Sequence, residues 1–143
     1  MAAGEVPADW RQERVAVRAL IRPSEAVPGV RFLDVESLQT RRELRTELAP
    51  LLAYYEIGDL DVATVRGGDR RITRWISKWA FDQRDANGKA VYAGIRYLSR
   101  LSSEWECWAV FQDVGIAERE RRDITRENPS LRRVATDFGL TVY

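Results

Sequence analysis

The hydrophobic period changes near the middle of this chain, and that change restricts the folds open to it. Over residues 69–80 the apolar side chains recur at helical spacing, as Ile72, Trp75, Ile76, Trp79 and Ala80. After Asn87-Gly88, a dipeptide typical of tight turns, residues 92–98 and 106–112 alternate in the manner of strands. The sequence therefore predicts a helix, capped by Asp69, that is followed by two strands.

The segments before this helix predict two strands and a divided helix. A polar stretch occupies residues 1–12, and imperfect alternation then predicts strands over residues 13–22 and 30–35. From Glu36 onward the leucines recur at helical spacing. Pro50 lies inside that run and is expected to divide the helix near Glu47, because proline cannot donate the helical hydrogen bond.

The remaining segments complete a mixed architecture. Residues 56–69 predict a loop with a short apolar plug, and residues 115–127 predict a loop followed by a polar strand. A last helix is bounded by Asn128 as cap, Pro129 as first residue and Gly139 as stop, with residues 140–143 as an optional terminal strand. The order of elements predicts an α+β fold, a mixed sheet with packed helices, in a single domain over residues 1–143.

Charge balance and hydropathy argue against two classes of partner, nucleic acids and membranes. Among the 143 residues 23 are basic and 22 acidic, which leaves a net charge of +1. A nucleic-acid binder normally presents a clearly basic face, so we expect no direct nucleic-acid binding. No apolar run approaches the roughly 20 residues that cross a bilayer, so we expect no membrane association and a cytoplasmic location.

The absence of histidine limits the possible chemistry. Without histidine, Ser-His-Asp and Cys-His catalysis are excluded, and no metal is expected. Cys107 is the one cysteine, so an intramolecular disulfide is impossible, and this usage fits a reducing compartment. We expect its thiol to be buried and inert.

The stretch "YAGIRYLSRL" is the strongest candidate for a site. Tyr97 and Ser99 share one face of the predicted strand, and Arg96 lies on the other. Gly94 would allow close approach of a ligand or another backbone, Ser99 would offer a hydroxyl, and Arg100 or Arg96 would meet a phosphate. The alternative is an ordinary strand with Arg96 in solvent and Ser99 starting a turn. Both interpretations stay open at this point.

Two further features allow a functional and a structural interpretation. The tryptophans could stack on a planar base or pack in the core, and they are Trp75, Trp79, Trp105 and Trp108. The sequence Gly67-Gly68-Asp69 before the central helix resembles a phosphate loop only loosely, because the glycine spacing and the lysine of that motif are missing.

Residues 70–111 as a whole resemble the C-terminal half of a RES domain, a family named for an arginine, a glutamate and a serine. The resemblance depends on a helix that opens with a threonine, a Gly-Ile-x-Tyr-x-Ser-Arg strand and an apolar strand with Trp-Ala-x-Phe. In this sequence these residues are Thr73, then Gly94, Ile95, Tyr97, Ser99 and Arg100, then Trp108, Ala109 and Phe111.

The resemblance implies a function. RES proteins are typically toxins of bacterial toxin–antitoxin pairs, with a fold related to ADP-ribosyltransferases and NAD as the substrate. An antitoxin with a helix-turn-helix domain usually blocks their site. On this chain the family's serine is Ser99, the expected catalytic residue. Tyr97 and Arg100 belong to the same motif, and together with Arg96 and Thr73 they are the expected NAD-binding residues.

The sequence departs from the family in one respect. The family's arginine and glutamate lie in an N-terminal portion for which this sequence shows no counterpart. We therefore expect a RES-like domain without its first third, with reduced NAD cleavage and with exposed surface that favours homo-oligomers. The alternative is a catalytically inactive module that binds an antitoxin or another protein.

Overall fold

A computed structural model describes residues 9–142 of the chain. The first eight residues of the polar N-terminal stretch and Tyr143 lie outside the described residues. In chain order the elements are β1 (Val15–Arg22), β2 (Phe32–Asp34), α1 (Leu38–Glu47), α2 (Ala49–Tyr54), α3 (Val62–Arg66), α4 (Arg70–Asp82), β3 (Gly94–Leu98), β4 (Glu106–Val110), β5 (Gly115–Asp123) and α5 (Pro129–Asp137).

The predicted α+β class is confirmed by these elements, which form two small sheets alongside the helices. The chain divides into two compact units. The central unit is Ile21–Gly115, and the terminal unit consists of the described residues of Met1–Leu20 and Ile116–Tyr143. The prediction of a single domain stays a prediction.

The central unit is built on a three-stranded sheet. Its strand order is β2-β3-β4, with β2 parallel to β3 and β3 antiparallel to β4. Leu33 pairs with Ile95, and Ile95 pairs with Ala109, so these three residues share one face. This face packs against the helices around a core that includes Leu33, Val35, Leu44, Leu52, Ile72, Ile76, Ala80 and Ile95.

The helix boundaries follow the predicted signals closely. α1 ends at Glu47, and Pro50 lies in the first turn of α2, so the predicted division of the helix is confirmed. Asp69 caps α4 by accepting a hydrogen bond from the Arg71 amide at 2.9 Å. Asn128 caps α5 in the same way. No helix within residues 9–142 is both long enough and apolar enough to cross a membrane.

Two of the predicted secondary-structure assignments need correction. The plug in the predicted loop is a short helix, α3, because Asp61 accepts a hydrogen bond from the Thr64 amide at 2.7 Å and closes a helical turn. The optional terminal strand is wrong for residues 140–142, which are not paired in a sheet. Gly139 has a left-handed conformation, with φ at 61°, and ends the helix. Residues 140–142 then continue without pairing with a strand.

The terminal unit contains α5 and most of a second, two-stranded sheet formed by β1 and β5. The polar strand predicted after residue 115 is confirmed as β5 and is nine residues long. Almost every residue of β1 is exposed, including Val15, Val17 and Leu20. This strand therefore presents apolar side chains to solvent.

Gly94 permits unusually close packing within the central sheet. A Cβ atom at this position would lie 2.0 Å from the Ala109 carbonyl oxygen and 2.8 Å from the Phe32 ring. The Phe32 ring in turn packs edge to face with Trp108, with centroids 4.7 Å apart. The sequence left open whether a ligand or another backbone approaches this glycine, and the structure shows a neighbouring backbone and an aromatic ring.

We expect Gly94→Ala to lower the free energy of unfolding by at least about 2 kcal/mol, because its methyl group would force β3 and β4 apart. Gly58→Ala is the matched control, since a Cβ atom there meets nothing within 4 Å. Its effect should stay within about 0.5 kcal/mol. Urea unfolding of both variants tests this, and equal stabilities would contradict the close packing.

Candidate functional site

A cavity of about 480 Å³ lies in the central unit between α4 and the ends of the central strands. Residues from the end of β2, α3, α4, β3 and β4 contribute to its lining. They are Val35, Val65, Arg66, Gly67, Thr73, Arg74, Ile76, Ser77, Ile95, Tyr97, Leu98, Arg100 and Ala109.

The topology explains why the cavity forms here. β2 and β3 are parallel, so their carboxyl ends open at the same edge of the sheet. Val35 follows β2, while Leu98 ends β3 and Arg100 follows it, and all three line the cavity. The crevice outside the carboxyl ends of parallel strands is where open α/β sheets usually bind ligands.

Helical spacing decides which side of α4 faces the cavity. Ile72, Ile76 and Ala80 are buried in the core along one stripe of the helix. Thr73 and Ser77 lie one turn apart beside that stripe, and both line the cavity. The cavity therefore has an apolar floor, continuous with the core, and a polar wall on α4.

A single carboxylate joins three of the segments around the cavity. Glu36, whose side chain is 10% exposed, accepts hydrogen bonds from Arg66 Nη2 at 2.7 Å and Arg66 Nε at 3.0 Å. It also accepts from the Leu98 backbone amide at 3.0 Å. These contacts connect the end of β2 to the ends of α3 and β3.

The same contacts change the acidity of Glu36. The hydrogen bond from the Arg66 guanidinium is the largest cause that holds the pKa of Glu36 below its ordinary value of 4.5, and the Leu98 amide adds to it. Partial burial acts in the opposite direction, but the hydrogen bonds prevail. Glu36 is therefore a firmly ionised partner of Arg66.

Three of the residues predicted to bind NAD come together in the cavity. Thr73 lies in the second turn of α4, Tyr97 is near the end of β3, and Arg100 follows β3. Their positions in the sequence are up to 27 residues apart, so the fold brings them together. A Cβ atom at Gly68 would lie 3.6 Å from Arg100 Nη1, which places this guanidinium beside the Gly67-Gly68 turn.

Arg96, the fourth predicted NAD-binding residue, does not line the cavity. It points to the opposite face of the sheet, where its guanidinium contacts Glu106 at 2.6 Å and Asp34 at 3.1 Å. Asp34 and Arg96 are paired residues of β2 and β3, and Glu106 is the diagonal neighbour on β4. These ion pairs hold Arg96 away from any ligand in the cavity.

Ser99, the predicted catalytic residue, lies between two cavity-lining residues without lining the cavity itself. Its Oγ accepts a hydrogen bond from the Leu101 amide at 3.1 Å, and its own amide donates to the Trp105 carbonyl at 2.8 Å. The structure thus shows Ser99 at the start of the turn between β3 and β4, next to the cavity.

None of the four tryptophans considered for base stacking lines the cavity. Trp79 packs beside the core, with its ring centroid 6.3 Å from that of Tyr92. Trp108 is exposed on the opposite face of the sheet. Cys107 is half-buried, which differs from the expected full burial. The aromatic ring available to a ligand in the cavity is that of Tyr97.

Sequence reasoning missed Arg74 and Ser77, which both line the cavity from α4. The signal was present, because they are three residues apart and next to the apolar stripe of the helix. A polar pair beside an apolar stripe is nevertheless the usual appearance of a solvated helix face. Only the position of β3 turns this face into a wall of the cavity.

The charges around the cavity are predominantly positive. Arg66 is paired with Glu36, whereas Arg74 and Arg100 make no ion pair with any carboxylate of residues 9–142. None of the cavity-lining residues is acidic. Within the described part of the chain, no three His, Cys, Asp or Glu side chains form a group that could hold a metal ion. The arrangement fits an anionic ligand with an apolar portion.

Comparison with known proteins gives no significant match for this chain, whether to a family model, to a curated protein or to a solved structure.

We expect Glu36→Gln to lower the free energy of unfolding at pH 7 by about 1–2 kcal/mol, because a neutral amide weakens the contacts with Arg66 in a partly solvated site. The native contribution is present above the unfolded pKa near 4.5 and is lost as the pH falls through the lower folded pKa. The difference between native protein and variant should therefore shrink below pH 4.5.

Glu43→Gln provides the control, because Glu43 is exposed on α1 and the substitution removes the same charge. Its effect should stay within about 0.5 kcal/mol. Urea unfolding from pH 7 to pH 3 measures both variants. A difference for Glu36→Gln that stays constant over this range would show that the carboxylate is not stabilised as described.

Proposed function

We propose that the central unit is a RES-like domain and that its cavity binds NAD. The observation that carries this proposal is the presence of Thr73, Tyr97 and Arg100 around one cavity. The resemblance to RES domains implies these three residues from the sequence alone. Their convergence supports the resemblance, although the rest of the family's fold and its toxin role remain part of the proposal.

The chemistry of the cavity suits the parts of NAD. The diphosphate is doubly negative, and Arg74 and Arg100 are cations that no carboxylate within residues 9–142 neutralises. The apolar floor and the Tyr97 ring suit a planar base, which stacks on aromatic and aliphatic surface. A volume of about 480 Å³ accommodates part of a dinucleotide, so the remainder of NAD would extend into solvent.

The proposed reaction is cleavage of the bond between nicotinamide and ribose. The electron pair of the C–N bond leaves with the nicotinamide nitrogen, and an oxygen of phosphate or water forms a new bond to the ribose carbon. With water as acceptor, one proton is released. Positive charge develops on the ribose, and a nearby carboxylate would normally stabilise it. Ser99 would orient the nicotinamide side or the ribose.

The absence of an acidic residue from the cavity lining limits this reaction. Glu36 is the nearby carboxylate, and its oxygens are engaged by Arg66 and the Leu98 amide. The cavity-lining residues and Glu36 therefore support binding of NAD more strongly than its rapid cleavage.

A second candidate function is an interaction module for a protein partner. The exposed apolar side chains of β1 favour it, because Val15, Val17 and Leu20 are at least 39% exposed on one short strand. A helix-turn-helix antitoxin is the partner that the resemblance to RES domains implies. On this interpretation the cavity binds NAD weakly or not at all, and the surface of the terminal unit makes the functional contact.

We expect the purified chain to bind NAD, and Arg100→Met to weaken that binding about tenfold or more, since a charge-assisted contact contributes about 1.5–3 kcal/mol. Tyr97→Ala should weaken binding by a similar factor because the stacking surface is lost. Arg42→Met removes a charge from the exposed side of α1 and should change affinity less than twofold. Isothermal titration calorimetry measures all four proteins.

NAD consumption with and without phosphate tests the reaction separately from binding. We expect slow loss of NAD that Ser99→Ala lowers at least about tenfold, which corresponds to about 1.4 kcal/mol of transition-state stabilisation. Binding without consumption would retain the NAD site and remove the catalytic claim. Absence of binding, in a chain shown to be folded, would overturn the NAD proposal in favour of the interaction module.

A further inference from the structure

We propose that Arg74 and Ser77 on α4 form a subsite for a sugar phosphate, in which Arg74 binds the phosphate and Ser77 binds a sugar hydroxyl. This inference rests on the proposed function, because it assigns the ribose phosphate portion of the ligand to one wall of the same cavity. Neither residue belongs to the sequence motif that suggested the function.

Several polar side chains at or beside the cavity already make hydrogen bonds within the protein. The Thr73 hydroxyl donates to the Arg70 carbonyl at 3.2 Å, and the Ser99 hydroxyl accepts from the Leu101 amide at 3.1 Å. The Arg66 guanidinium is held by Glu36 at 2.7 Å. These groups already make contacts within the protein, so a ligand would have to share or displace those contacts.

Arg74 and Ser77 differ from these residues. Within residues 9–142, the Ser77 hydroxyl makes no hydrogen bond, and the Arg74 guanidinium makes neither an ion pair nor a hydrogen bond. Ser77 is half-buried, so its hydroxyl is partly removed from bulk solvent. Serine within a helix commonly bonds back to a carbonyl one turn earlier, and this hydroxyl does not. Both residues are therefore free to bind a ligand.

Helix geometry places the two side chains side by side. Residues three apart on a helix have Cβ atoms about 5–6 Å apart on one face. Arg74 and Ser77 both line the cavity, so this face of α4 offers it one basic residue and one hydroxyl-bearing residue.

The spacing and chemistry of this pair define the ligand class. A guanidinium forms short, charge-assisted hydrogen bonds to phosphate oxygens, and a hydroxyl both donates to and accepts from a sugar hydroxyl. A sugar phosphate carries both partners within one small unit, whereas a free base carries neither. Tyr97 and Arg100 line the cavity from the strand side, so the base and a second phosphate have separate places to bind.

Ribose 5-phosphate and NAD are the probes, with nicotinamide as a ligand that lacks both sugar and phosphate. We expect Arg74→Met to weaken binding of ribose 5-phosphate and NAD about tenfold, and Ser77→Ala to weaken it about fivefold. Neither variant should change nicotinamide binding. Chemical shift titration by NMR measures the affinities over the millimolar range that small ligands require.

The control variants repeat each substitution away from the cavity. Arg70→Met removes the same charge from the same helix, and Ser130→Ala removes a hydroxyl from the exposed first turn of α5; neither residue lines the cavity. Both controls should stay within about twofold of the native affinity. All four variants should keep the unfolding temperature of the native protein to within about 2 °C, which separates lost binding from lost folding.

The outcomes distinguish this inference from the proposed function. If NAD binds natively and neither Arg74→Met nor Ser77→Ala weakens it relative to its control, the subsite is wrong while the NAD site stands. If ribose 5-phosphate binds through these residues but NAD does not bind, the subsite stands and the NAD proposal is wrong. If neither ligand binds the folded native protein, both are overturned.

Discussion

The candidate site depends on the hydrogen bonds that the Glu36 carboxylate accepts. This carboxylate receives the guanidinium of Arg66 and the backbone amide of Leu98, and so it connects the end of one parallel strand to the end of the next and to α3. It acts beside the backbone pairing of the two strands and the Arg96–Asp34 ion pair, and it adds α3 to that connection at the edge where the cavity opens. A partly buried carboxylate loses some of its hydration, and the cation and the amide that converge on Glu36 replace the lost hydrogen bonds.

The polar groups around the cavity fall into two sets, and this division indicates what the cavity can do. Arg66, Thr73 and Ser99 are engaged in local hydrogen bonds, and on the other face of the sheet Arg96 is held by two carboxylates. Among the arginines that line the cavity, Arg74 and Arg100 make no ion pair with the part of the chain that the structure describes. An anion is therefore attracted to positive charge that no described carboxylate neutralises, above an apolar floor that suits a planar ring.

Local signals in the sequence predicted several elements well, because their causes are themselves local. Pro50 divides α1 from α2, Asp69 caps α4, and Asn128 caps α5, since each depends on a residue and its near neighbours. α3 was missed because five residues with one capping bond carry too little periodicity to be recognised. The sequence predicts an optional strand after Gly139, but a strand forms only beside a partner strand, which a local pattern does not supply.

The sequence by itself determined the α+β class, the position of the central helix and the face of β3 that carries Tyr97, because periodicity assigns side chains to faces. It also placed Arg96 on the other face. Only the tertiary structure decided that Arg74 and Ser77 line the cavity while Ser99 does not. The physical reason is that cavity lining, and the ion pair of Arg96 with Asp34, depend on segments that are far apart in the chain. Arg96 and Arg100 look equivalent in the sequence, and carboxylates on β2 and β4 are what separate them.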